Sequence, residues 1–287
     1  NKLYKRKIYF ISIDNEKYPD RLKDIDNYPY GIYVKGNISA LSKKTVAIVG
    51  ARNCTTYGKK IAKDIGFKLA ANGVNVISGL ARGIDSAGLW GAVDANGVAG
   101  AVLGCGVDIC YPRENIELYE VIKENGFILS DYPIGTKPLA WQFPLRNRII
   151  SGLADIVLVV EARERSGSLI TVEYALEQGK DVCAVPGRVG DGLSSGCNRL
   201  IKEGAAMVLS ANDVLYELGI NNDSNTKFFR KNDIVLEKEI ETLYSYVDFF
   251  PKNIQQLMNE TGMSSSEILR GLIKLQMMNY IEEPSKN

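Results

Sequence analysis

The chain has 287 residues, 45% hydrophobic and 24% charged, with a formal net charge of +1. That composition suits one full globular core plus a small second domain. Histidine is absent, which excludes a Ser-His-Asp or Cys-His catalytic set, an HExxH zinc site and any imidazole acid–base step on this chain. The five cysteines, Cys54, Cys105, Cys110, Cys183 and Cys197, include no CxxC pair. Neither a disulfide framework nor a metal site is therefore expected, and a reducing cytoplasm is favoured. No apolar run reaches the ~18 residues of a membrane span, and no signal peptide or membrane partner is expected.

Charge is unevenly spread. Residues 1–44 carry ten Lys and Arg against five Asp and Glu, residues 45–229 eighteen against twenty, and residues 230–287 seven against nine. An anion site on such a chain has to be a local cluster.

In chain order, 9–13 and 31–35 read as short strands within a 1–44 extension that packs on and caps the core. Strands are then predicted at 46–49, 74–77, 98–103, 127–129, 156–160 and 182–185, alternating with helices at 59–71, 86–96, 114–125, 169–178 and 198–203. Several strands are apolar throughout, as strands covered on both faces are. The alternation over 45–220 predicts an α/β fold, an extended Rossmann-like, doubly wound parallel sheet. Residues 221–233 are polar, lack apolar periodicity and read as a linker. Helical spacing at 234–247 and 253–259, N-cap chemistry at Ser264 before 268–277, and a terminal Tyr280-Ile281 strand predict a small winged-helix domain over 234–287. Its last helix has only Arg270 and Lys274 against Glu267, which favours a protein contact or a structural role over DNA reading.

Ligands bind doubly wound sheets outside the carboxyl ends of the strands. The expected loops there, with 143–148 counted among them, hold eight of the thirteen arginines: Arg52, Arg82, Arg113, Arg146, Arg148, Arg163, Arg165 and Arg188. They hold none of the twenty-two lysines. Guanidinium forks match phosphate oxygens, and neighbouring glycines such as Gly50 and Gly167 let backbone N–H groups approach an anion. Each arginine alone has a plainer alternative, capping a helix end or pairing with Asp85, Glu161 or Glu164. As a cluster they point to a polyphosphate or a nucleic-acid backbone. Tyr57, Tyr111, Trp141 and Phe143 lie in or beside the same loops, and Phe143 is the best placed to stack a base. Gly50-Ala51-Arg52-Asn53 breaks the GxGxxG pattern and no GxxxxGK[ST] loop occurs, so NAD and Walker-type ATP are disfavoured and no cofactor is expected.

Four strings carry a resemblance: VAIVGAR at 46–52, SGLARGID at 78–85, FPLRNRII at 143–150 and RSGSLIT at 165–171. With Tyr57-Gly58 they resemble the DprA/Smf DNA-processing family, from about residue 9 to the end. The resemblance implies an extended Rossmann domain that binds single-stranded DNA, forms a homodimer and loads the RecA recombinase in natural transformation, without catalysis of its own. It puts Arg52, Phe143, Arg146 and Arg148 in the DNA pocket, with Ser166, Gly167 and Ser168 beside it, and Gly50, Arg82 and Arg113 join them as expected phosphate contacts. Substituting Arg52 and Arg146 together is expected to abolish binding without unfolding. Many members carry a histidine after GIDxxA, where this chain has Leu89. The stretch 167–173 also resembles the GGxGTxE loop of LOG-type nucleoside-monophosphate phosphoribohydrolases. In that alternative Glu173, with Arg148 or Arg165, would stabilise a ribosyl cation and hold the phosphate, although two glycines of the loop are replaced by Ser168 and Ile170.

Overall fold

The computed structural model describes residues 2–220, 238–247, 251–278, 280, 281 and 283. The chain divides into two compact units, Asn1–Asp223 and Ser224–Asn287. The first begins with helix α1 (Lys2–Lys5) and strands β1 (Ile8–Ser12) and β2 (Gly31–Gly36). Strand and helix then alternate: β3 (Thr45–Gly50), α2 (Thr56–Ala71), β4 (Asn75–Ser78), α3 (Ile84–Asp94), β5 (Ala99–Val102), α4 (Ile116–Asn125) and β6 (Phe127–Ser130). They continue with α5 (Gln142–Leu153), β7 (Ile156–Val160), α6 (Gly167–Glu177), β8 (Asp181–Ala184), α7 (Ser195–Lys202), β9 (Ala206–Met207) and α8 (Ala211–Glu217).

Among the described residues the strands make one sheet in the order β1-β2-β6-β5-β4-β3-β7-β8-β9. Every neighbouring pair from β6 to β9 is parallel, while β1 and β2 extend the sheet as an antiparallel edge on β6. This is a Rossmann-like mixed α/β sheet. The strands near the N-terminus thus continue it instead of capping it. β4, β5, β6 and β7 are buried at every position. Alternate side chains serve opposite faces: Val46 and Ile48 pack with Leu69, Leu89 and Leu118, and Ala47 and Val49 with Ile149, Val172 and Leu200. The chain runs from β3 outward to β6, then returns to β7 on the other side of β3, and that reversal opens a crevice between the carboxyl ends of β3 and β7.

One expected loop is a helix. α5 puts Gln142, Arg146, Ile149, Ile150 and Leu153 on its buried side, a three-and-four spacing interrupted in the sequence by the Arg146-Asn147-Arg148 triplet. Pro144 falls in its first turn, where a missing N–H breaks no helical bond.

The expected linker at 221–233 lies outside the described residues. The second unit has helices α9 (Lys238–Tyr246), α10 (Ile254–Thr261) and α11 (Ser265–Met277), packed around Ile240, Leu243, Leu257, Ile268 and Leu275. The strand expected at Tyr280-Ile281 is not formed; both residues pack irregularly against this core. An isolated strand has no ladder to join, and no strand occurs among the described residues of this unit.

Candidate nucleic-acid interface

The loops after β3, β4, β5 and β7 meet along the carboxyl edge of the sheet and are held by main-chain bonds. Ala51 N–H donates to Glu161 O at 2.8 Å, and Ile84 N–H donates to Ala51 O at 3.2 Å. Asn115 Nδ2 donates to Leu80 O at 2.9 Å, tying the 111–115 segment to the loop after β4. Gly50 is needed for packing: a Cβ there would strike Val160 O and come within 2.8 Å of Ile84. That contact accounts for the glycine without a phosphate. Gly83, at φ +79°, lies against the carbonyls of Ala51 and Arg52, a conformation and a closeness that only glycine tolerates.

Two of the expected phosphate contacts turn inward. Arg146 is 5% exposed and donates through Nη1 to Gly79 O at 3.0 Å and to Val102 O. Asp85, 8% exposed, faces it and accepts from Gly79 N–H at 3.1 Å. Burial lowers the Arg146 guanidinium to about 10 while the Asp85 charge opposes the shift. Burial likewise raises Asp85, against Arg146 and hydrogen bonds from Ser78, Ala81 and Gly79. Arg146 therefore joins the ends of β4 and β5 to α5, and this burial argues against the expectation that its substitution leaves the fold intact. Arg148 is similarly engaged: it donates to Asn27 O at 2.9 Å, to Leu145 O at 2.8 Å and to Asp131 Oδ2 at 2.8 Å. It fastens the segment before β2 to α5.

The other candidates face outward. Arg52, Arg82, Arg113, Arg163 and Arg165 are exposed. Among the described residues, Arg82 has one loose ion pair with Glu114 at 3.6 Å; Arg52, Arg113, Arg163 and Arg165 have no ion-pair partner. Arg52 lies close enough to Arg146 for the two charges to repel. Phe143 is half-buried, stacked on the exposed Tyr111 with ring centroids 5.3 Å apart and planes 29° from parallel. Gly104 lets the Phe143 ring approach, since a Cβ there would come within 2.9 Å of it. At the start of α6, Ser166 caps the helix and its hydroxyl lies 2.7 Å from that of Ser168. Gly167 stands open, with nothing near the position of a Cβ. The edge thus offers guanidinium groups, an open helix N-terminus and an aromatic pair, the functional groups that hold a flexible polyphosphate strand.

The phosphoribohydrolase arrangement is not favoured. Glu173 is exposed on α6, and Arg148 is held by Asp131. The groove on that part of α6 is lined by Asp24, Asp26, Asn27, Tyr174, Glu177 and Gln178, and three carboxylates repel a phosphate.

Residues 9–219 match the family described as DNA recombination-mediator protein A. The chain belongs to that family. It is 44% identical over 207 residues to the DNA processing protein DprA of Streptococcus pneumoniae, covering 72% of this chain and 73% of that one. It is 43% identical over 279 residues to the protein Smf of Escherichia coli, covering 95% and 75%. The X-ray structure of the pneumococcal DprA aligns with a TM-score of 0.71 at 44% identity, over 74% of this chain and 75% of that one. A structure of DNA processing protein A from Helicobacter pylori, described for its single-stranded DNA binding mode, aligns at 0.67 and 28% identity, over 73% and 95%.

Within this family member, Leu89 stands where the resemblance expects a histidine. It is fully buried on α3 and packs in the core, so no polar group is required there for folding. Lys137, which is outside the arginine cluster, also lies at this edge. It is exposed and follows Thr136, whose carbonyl accepts the N–H of Gly106 at 3.0 Å, so it borders the loop after β5. A basic residue in the Gly135-Thr136-Lys137-Pro138 turn just ahead of Phe143 was the available signal.

Proposed function

We propose that the protein is a single-stranded-DNA-binding recombination mediator that works without catalysis or cofactor. The observation that carries this reading is the set of exposed arginines in the loops at the carboxyl edge of the sheet, Arg52, Arg113, Arg163 and Arg165, together with the Tyr111–Phe143 pair. Arg52, Arg82 and Arg113 hold backbone phosphates, and Phe143 stacks a base. At the start of α6 the Gly167 N–H and the hydroxyls of Ser166 and Ser168 take another phosphate, because Ser166 N–H is engaged by Arg163 O at 3.0 Å and Ser168 N–H by the Ser166 cap. Gly50, Arg146 and Arg148 serve this surface as its frame. The single-stranded DNA binding mode described for the Helicobacter pylori neighbour supports the reading.

The family resemblance adds the finer roles: the protein protects incoming DNA in the cytoplasm and loads RecA during natural transformation, acting as a homodimer. Exposed Met207, Leu209 and Tyr216 around the short edge strand β9 support self-association. The second unit is read as a winged helix. Exposed Leu269, Ile273 and Met277 on α11 support a protein contact there over DNA reading.

Fluorescence anisotropy with labelled single- and double-stranded oligonucleotides across a salt series tests the function. A single-strand preference with a steep salt slope is expected. No binding at low salt would refute it.

A further inference from the structure

In a doubly wound sheet, the crevice where the strand order reverses is the ordinary place for the phosphates of a nucleotide, because the unpaired N–H groups and positive end of the first helix point into it. Here that helix is α2 and the crevice lies between β3 and β7. An internal carboxylate fills it. Glu161, the residue after β7, accepts from Thr55 N–H through Oε2 at 2.8 Å and from the Thr55 hydroxyl through Oε1. Gly58, in the first turn of α2, supplies the space: a Cβ there would lie 2.8 Å from Oε1 and nearer still to Oε2. Glu161 reaches this position at φ +51°, in the left-handed region that favours glycine. A strained backbone, a glycine opposite and two donors all accommodate one negative side chain.

We propose that Glu161 is a specificity-determining residue, whose carboxylate stands in for a nucleotide phosphate and closes the crevice to free nucleotides and pyrophosphate. A second anion beside it would meet a like charge at close range. Phosphates are then admitted only along the exposed edge, where a continuous strand is held by several contacts at once. The inference rests on the proposed function for what the edge admits, and on geometry alone for what the crevice refuses.

The test is thermal unfolding of the full chain titrated with inorganic pyrophosphate, with sodium chloride at matched ionic strength as control. Glu161→Gly suits the left-handed backbone and empties the crevice. Wild type is expected to show no change at about 10 mM pyrophosphate, whereas Glu161→Gly gains a rise in Tm of roughly 2–4 °C. Glu161→Gln, which keeps the bulk and an acceptor for Thr55 N–H, is expected to gain a smaller rise. A folded Glu161→Gly protein indifferent to pyrophosphate overturns the proposal, as does a wild type that already responds. Should the glycine variant fail to fold, an unresponsive Glu161→Gln protein overturns it. Failure of wild type to bind a single-stranded oligonucleotide by anisotropy would refute the proposed function and leave the pyrophosphate comparison intact.

Discussion

Arg146 on α5 donates to two carbonyls at the ends of β4 and β5, with a carboxylate facing it. Arg52, at the end of β3, is exposed and has no ion-pair partner among the described residues. The two guanidinium groups lie near enough for their charges to repel, yet one builds the edge and the other is displayed on it. The difference is burial. A guanidinium removed from water has to keep its donors paired, so it becomes scaffold, whereas one left in water keeps its donors available for a phosphate.

The largest expected effect comes from breaking the inner group. Arg146→Ala takes the donor from two buried carbonyls and the facing positive charge from Asp85, and should cost about 3–5 kcal/mol of stability, read as a lowered midpoint in urea denaturation. Adding Asp85→Asn should recover part of that loss. Unchanged stability for Arg146→Ala would erase the contrast between the two arginines.

The outer group should behave in the opposite way. Arg52→Ala with Arg165→Ala should leave stability within about 0.5 kcal/mol of wild type. Affinity for single-stranded DNA should fall by about tenfold or more, and the salt slope should shrink by about 1.4, roughly 0.7 for each phosphate no longer neutralised. A double variant that binds with the wild-type slope would remove both residues from the interface. Phe143 lies between the two groups, half-buried yet stacked toward solvent. Phe143→Leu keeps most of the packing and loses the flat face, so affinity should drop by about fivefold, from a stacking term of roughly 1 kcal/mol, with a stability change under about 1.5 kcal/mol. Equal losses in both measurements would make Phe143 scaffold.

The sheet was legible because its central strands are apolar on both faces, as in the Ile156–Val160 run. β9 and α8 carried no such signal; a two-residue strand has no periodicity to read. The arginine cluster was legible as composition, but its division into buried and exposed members was not. Arg146 and Arg148 share a triplet with Asn147, and only the helical register of α5 against the sheet decides which way each one points. The role of Glu161 was hidden for a related reason. Its partner Thr55 is 106 residues away in sequence, and the left-handed backbone that aims it leaves no mark on residue type.

The scaffold side of the comparison reaches the N-terminal segment, where the smallest effect is expected. Arg148 Nε holds Asn27 O, and two residues on the hydroxyl of Tyr18 donates to Pro29 O at 2.5 Å. Tyr18 is 3% exposed, and burial pushes its phenol up to about 12, with Arg148 opposing and Asp131 and Tyr28 adding to the rise. A folded value above the unfolded one means that its contribution to stability is complete below about pH 10 and is lost as pH rises from 10 to 12. Burial raises the thiols of Cys105 and Cys197 to about 11 and that of Cys183 to about 12, so they lose stability in an overlapping window. The informative quantity is therefore the difference between wild type and Tyr18→Phe in urea denaturation at successive pH values. Near pH 8 the variant should be less stable by about 1 kcal/mol, for the hydrogen bond to Pro29. Between pH 10 and 12 the gap should close, because only wild type has a phenol to ionise. Curves that stay parallel would mean that this hydroxyl ionises as freely in the folded protein as in the unfolded chain, and that the segment fastened by Arg148 is held without it.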